Sequence, residues 1–332
     1  MDQKITMIIA IAAVGCLCFA GGYFISGGGS NEDNTPVMVS GSTTVQPLMN
    51  AWASEYEKVS NAAIYVSGGG SGTGRDNTNT KISNIGMASS VTSSTSYPNL
   101  IQHTVAFDAV VIVASSNVTL AGVSINDLKN LFLQTPGVAA DNPTLPTNLT
   151  PVVREFGSGT RETFVTSLGG VTDTATSNPM KTGAVERTSA GAVLREVNEN
   201  QNRIGFVNMN SLIHIAGGTD IQFPNVKSLP VGKAGVTPTT TPSGYVAASA
   251  LTVQEWMSYA PSATDKTGYP MSRALFVLTL ADGTGLNAAS ISFIQWMYSA
   301  EAQKIVDDEG FVHLDDTTLK AEWEKVLRWP AV

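Results

Sequence analysis

Three small-residue turns hold the residues most able to do chemistry. The most specific is within Pro151 to Phe164, which reads PVVREFGSGTRETF. A β-branched run, Val152 and Val153, ends at Arg154, and the turn Gly157-Ser158-Gly159-Thr160 follows. Arg161 to Phe164 then begins a helix-like pattern. The order is strand, turn, helix. A helix N-terminus presents unpaired amide N–H groups and a partial positive charge, so it suits an anion. Arg154 adds a planar fork of donors that matches a tetrahedral oxyanion. Taken alone, the stretch is also compatible with an ordinary glycine-rich helix cap.

Two further turns share its chemistry. Gly41 to Val45 (GSTTV) and Gly68 to Gly74 (GGGSGTG) also follow a strand and precede a helix, and they offer hydroxyls rather than charges. In an α/β sheet the ligand lies where such strand ends meet. Three converging turns would surround one small oxyanion with neutral donors plus Arg154. Other chemistries fit less well. Gly69 to Gly74 has the glycine spacing of a phosphate-binding P-loop, but Arg75 and Asp76 replace its Lys and Ser/Thr. Neither Ser71 nor Ser158 has the G-x-S-x-G nucleophile elbow. His103, His214 and His313 are scattered without metal-ligand spacing, so no metal and no catalytic residue is assigned. Cys16 and Cys18 both lie in the first apolar segment, which leaves the remainder without a disulfide framework. The net charge of -8 disfavours nucleic acid and means an anion must be held by local donors.

The elements that would position these turns alternate. Strands are expected over 37–40, 63–66, 85–90, 104–114, 152–154, 203–207 and 274–279. Helices are expected from Pro47, over 75–82, from a Ser124/Asp127 capping box through Leu131, over 189–198 and 251–259, and in a long region over 288–309. That alternation predicts α/β layers with largely parallel sheets. The Pro- and Thr-rich segment 223–243 reads as a surface excursion. Ile5 to Ser26 is almost wholly apolar and long enough to span a membrane. It reads as an uncleaved anchor, with a cleaved signal peptide as the alternative. Gly27 to Pro36 follows as a flexible tether. Asn117 and Asn148 head glycosylation sequons.

Six segments then resemble, in order, the phosphate-binding subunits of ABC importers. They are GSTTVQPL (41–48), SGGGSGTGRDN (67–77), IGMASS (85–90), REFGSGT (154–160), YPMSRALFV (269–277) and AEAQKIVDDEGFV (300–312). The resemblance implies a two-lobed class II periplasmic-binding-protein fold, with a ligand cleft between lobes joined by two crossover strands. It divides the chain into an anchor or signal segment (1–26), a linker (27–36), lobe one (37–108 plus 276–332) and lobe two (109–275). It implies that inorganic phosphate is held by Thr43, Thr44 and Val45, by Ser71 and Ser89, and by Arg154, Ser158, Gly159 and Thr160. Many members carry Asp or Arg after the Ala-Ser of the 85–90 motif; here that residue is Ser90. Asp108 interrupts an apolar strand at the first crossover and is therefore the expected acceptor of the ligand's proton. Arg161 and Arg273 are expected to pack or form salt bridges. The implied protein is a monomeric, non-catalytic receptor without a cofactor. Its partners would be phosphate, an ABC permease and, through the N-terminal segment, the membrane. Receptors for sulfate, molybdate or tungstate, a phosphate sensor, and a hydrolase using Ser71 or Ser158 stay open as alternatives.

Overall fold

The computed structural model describes residues 35–169, 171, 173–174, 177–212, 223–232, 245–246 and 270–327. The apolar segment 5–26 and the helix expected over 251–259 lie outside the described residues. Among those described, no helix is long and apolar enough to cross a membrane.

The chain begins with β1 (Val37–Gly41), α1 (Gln46–Val59), β2 (Ile64–Ser67), α2 (Ser71–Asn79) and β3 (Ile85–Ala88). β1 lies between β2 and β3 and runs parallel to both. Such pairing needs crossover helices, and α1 and α2 supply them. β4 (Leu100–Ser115) follows. Next come β5 (Val123–Ser124), α3 (Ile125–Phe132), β6 (Thr150–Arg154), α4 (Gly159–Leu168), β7 (Val185–Arg187), α5 (Ala190–Glu199) and β8 (Arg203–Asn208). β6 runs parallel to β7 and β8. Short strands β9 (Val226–Leu229), β10 (Val231–Gly232) and β11 (Tyr245–Val246) precede β12 (Ser272–Leu280), and α6 (Ala288–Trp296), α7 (Ala300–Asp308) and α8 (Asp316–Val326) follow it.

One nine-stranded sheet runs β2-β1-β3-β12-β4-β8-β6-β7, with β9 also on β4. Its middle is antiparallel: β12 with β3 and β4, and β4 with β8 and β9. The expectation of largely parallel sheets therefore holds only toward the two ends. β12 does not directly follow either of its neighbours β3 and β4 in the sequence, so the rule that keeps βαβ units parallel does not fix its direction. β4 serves both ends. Leu100 to Ala109 pairs with β12, and Val110 to Ala114 pairs with β8. From Val105 onward the whole strand is buried, consistent with its almost unbroken apolar run.

Other differences have local causes. α2 opens at Ser71 rather than Arg75, because Gly69 and Gly70 take φ values of 137° and 92° that close the turn early. The 288–309 region is two helices, α6 and α7, and α8 follows beyond it. Ser299 Oγ caps α7 by accepting from the Ala302 N–H at 3.1 Å, and Asp315 Oδ1 caps α8 from the Thr318 N–H at 2.9 Å. The 223–243 segment contains β9 and β10. Ser124 and Asp127 form the expected capping box on α3.

Aromatic packing fixes two of the helices that follow the turns, α1 and α4. On α1, Trp52 donates to the Ala302 carbonyl at 2.8 Å and Tyr56 meets Phe293 at 5.1 Å. On α4, Phe164 stacks on Phe206 at 4.2 Å and meets Phe132 edge-on at 4.8 Å.

Candidate anion-binding site

The three turns converge. Thr44 from the first and Thr160 from the third bring their hydroxyl oxygens to 3.0 Å, although they are 116 residues apart in sequence. Ser42 donates to the Ser89 hydroxyl at 2.9 Å, and the hydroxyls of Ser89 and Ser71 lie 3.4 Å apart. The Ser89 amide donates to Ser71 Oγ at 3.0 Å. Gly159 faces this serine pair so closely that a Cβ there would stand 2.3 Å from both hydroxyl oxygens. Only glycine lets that backbone approach. Ser158 caps α4 and Val45 precedes α1, which places two helix N-termini at the cluster.

Two guanidiniums enter it. Arg154, 1% exposed, donates from Nη2 to Thr43 Oγ1 at 3.2 Å. The carboxylate of Glu155 holds it with two contacts of 2.8 Å. Arg273, 6% exposed, reaches Thr160 Oγ1 at 3.3 Å, Thr44 Oγ1 at 3.4 Å and the Ser89 carbonyl at 3.2 Å. Asp108 accepts from it at 2.7 and 3.0 Å. Burial pushes Arg273 below its ordinary value; Asp108 opposes that, and the like charge of Arg154 adds to it. The two like charges make the local field positive, which favours an anion.

Arg273 was expected only to pack or pair, yet it also touches the hydroxyl cluster. A signal for it existed. Arg273 and Asp108 are single charges in two apolar strands and stand directly opposite each other in the β12–β4 register. Asp108 stands behind Arg273. Its other carboxylate oxygen accepts from the Met209 N–H at 3.2 Å. Burial pushes the Asp108 carboxyl up, against the pull of Arg273. Ser42 is a further cluster member that sequence reasoning passed over. Arg161 is structural: it binds Asp173 at 2.7 and 2.9 Å and the Arg154 carbonyl at 3.0 Å, tying α4 to the end of β6.

Thr43 also lines a cavity of about 300 Å³, together with Pro47, Ser189, Gly191, Asn208 and Asn210 among others. Among the described residues, no group of three or more His, Cys, Asp or Glu is placed to hold a metal ion. Chemically, the arrangement can desolvate a compact oxyanion and return its hydrogen bonds through hydroxyls, amides and two guanidiniums.

A comparison with curated proteins finds no match. Solved structures share the fold. A candidate phosphate ABC transporter substrate-binding protein with bound phosphate from Clostridium perfringens superposes with a TM-score of 0.61 at 22% identity, covering 85% of this chain and 100% of that one. An ABC-type phosphate transport receptor from Vibrio cholerae gives 0.58 at 20% identity, covering 83% and 99%. A phosphate binding protein from Stenotrophomonas maltophilia gives 0.58 at 14% identity, covering 87% and 93%. Residues 27–301 match the family described as PBP superfamily domain, and the chain belongs to that family.

Proposed function

We propose that the protein is an extracytoplasmic receptor for inorganic phosphate, which it delivers to an ABC permease without catalysis. The observation that carries this reading is the convergence of Thr44, Ser71, Ser89 and Thr160 with two buried guanidiniums. Its structural neighbours, phosphate transport receptors and phosphate-binding proteins, support the same ligand. Residues 37–108 plus 276–332 form lobe one in this reading, and 109–275 form lobe two. β4 and β12 pass beside the cleft between them. Closure traps the anion, and its binding energy shifts the open–closed equilibrium. Thr43, Thr44, Val45, Ser71, Ser89, Arg154, Ser158, Gly159 and Thr160 hold the ligand together with Arg273, and Asp108 orients Arg273. The N-terminal apolar segment anchors a monomer near its permease and raises its effective concentration there.

The test is a calorimetric titration of the full chain, solubilised in detergent, with phosphate, sulfate, molybdate and tungstate, alongside a phosphoester turnover assay. One phosphate per chain, preferred over the other anions and without turnover, is expected. Tighter binding of another oxyanion, or release of phosphate from an ester, would refute the reading.

A further inference from the structure

We infer that Arg75 and Glu162 form a clasp across the cleft that sets how long a bound anion is retained. The inference rests on the phosphate-receptor reading above. Arg75 lies one turn into α2, the helix that opens with Ser71; Glu162 lies in the first turn of α4, the helix that opens with Gly159 and Thr160. The two helices follow strands at opposite ends of the sheet path, so in the two-lobed reading a bond between them joins the lobes. Arg75 meets both carboxylate oxygens of Glu162, at 3.0 and 2.9 Å. Ser90 completes the knot: its hydroxyl accepts from Arg75 at 2.5 Å and donates to Glu162. An acidic side chain at position 90 would repel Glu162; the serine bridges instead. Beside it, Thr163 donates to the Ser89 carbonyl at 3.1 Å, and the Gly72 N–H donates to the Gly157 carbonyl at 3.3 Å.

The geometry points to retention rather than folding. The Arg75 side chain is 8% exposed and that of Glu162 31%, so the pair stands at the rim of the cleft. When the cleft opens, both groups regain water and neither is stranded in a core. The contact therefore favours the closed form and leaves the open form nearly untouched. An interaction present only in the closed state slows release, because the ligand leaves through opening. It adds nothing to first encounter, which occurs with the cleft open.

The experiment follows radiolabelled phosphate on the full chain, measuring association and chase-driven release, with thermal melts in the absence of phosphate. Glu162→Gln keeps the size and removes the charge. Its release is expected to be about tenfold faster and its association within about twofold of wild type. The phosphate-free melting temperature is expected to stay within about 2 °C. Exchanging the partners, Arg75→Glu with Glu162→Arg, is expected to slow release back toward wild type. Unchanged release in Glu162→Gln overturns the clasp, whether or not the melt moves. Fast release that the exchange fails to slow also overturns it, since the effect then belongs to one residue. A wild-type chain that takes up no phosphate overturns the receptor reading, and the clasp with it.

Discussion

Two buried arginines reach hydroxyls of the first turn, Arg154 at Thr43 and Arg273 at Thr44, and the way each is held differs. Arg154 is paired with its chain neighbour Glu155, whose side chain is 23% exposed. Arg273 is paired with Asp108, 165 residues away and fully buried. Both contacts are short and charge-assisted, so bond strength does not separate them. Burial does. Removing Glu155, whose side chain reaches the surface, opens a path for water to the otherwise buried Arg154. Removing Asp108 leaves a cation in the interior with nothing to balance it.

The largest expected effect tests that contrast directly. Asp108→Ala should destabilise the protein by about 3–5 kcal/mol in a denaturant titration, the usual result of breaking one side of a buried pair. Glu155→Ala should cost less, about 1–3 kcal/mol. Equal losses would mean that Glu155 is as structural as Asp108, and the contrast would fall. Arg154→Ala comes next and reads out in binding. Losing its hydrogen bonds to a charged ligand should weaken phosphate by about 2–3 kcal/mol, roughly a hundredfold, by calorimetry.

The same contrast explains what the sequence made legible. Arg154, Ser158, Gly159 and Thr160 stand in one short run whose strand–turn–helix logic is local, so the turn could be read before any fold was known. Arg273 joins the site only through the β12–β4 register, and register is a property of the assembled sheet. The start of α2 at Ser71 depended on two glycines with positive φ, where composition alone left the boundary anywhere in a small-residue run. β7 escaped notice because three residues, two of them charged, carry no period of two. α8 escaped because its apolar stripe is thin, leaving Val326 as its one buried apolar residue. The crowding of Gly159 against Ser71 and Ser89 could not be foreseen either, since it joins residues from separate turns.

A quieter substitution sharpens the role of Asp108. If it orients Arg273, then Asp108→Asn should weaken phosphate and sulfate together, by about tenfold each, with their ratio kept. If the carboxylate instead accepts the ligand's proton, phosphate alone should weaken and the gap to sulfate should narrow. Parallel titrations with both anions decide between the two.

The smallest effect compares Asp108 with a carboxylate remote from the cluster. Glu196 accepts from Arg187 at 2.5 Å and from Arg203 at 2.9 Å. Burial alone would raise its pKa, but the hydrogen bonds and charges of the two arginines outweigh burial and hold it below the usual range. For Asp108 burial wins, and the shift has the opposite sign. A depressed carboxyl binds its proton less readily in the folded state than in the unfolded chain. Its stabilisation is therefore present above the unfolded value, about 4.3, and is lost as pH falls through the lower folded value. Glu196→Gln should accordingly lower stability near pH 7, and its difference from wild type should shrink as the pH is taken down through that window. For Asp108 the folded state takes up the proton first, so its own contribution moves toward stability over the fall in pH. Urea titrations of wild type and Glu196→Gln at stepped pH measure this, and a difference that stays constant down to about pH 3 would show that the arginines do not hold Glu196 down.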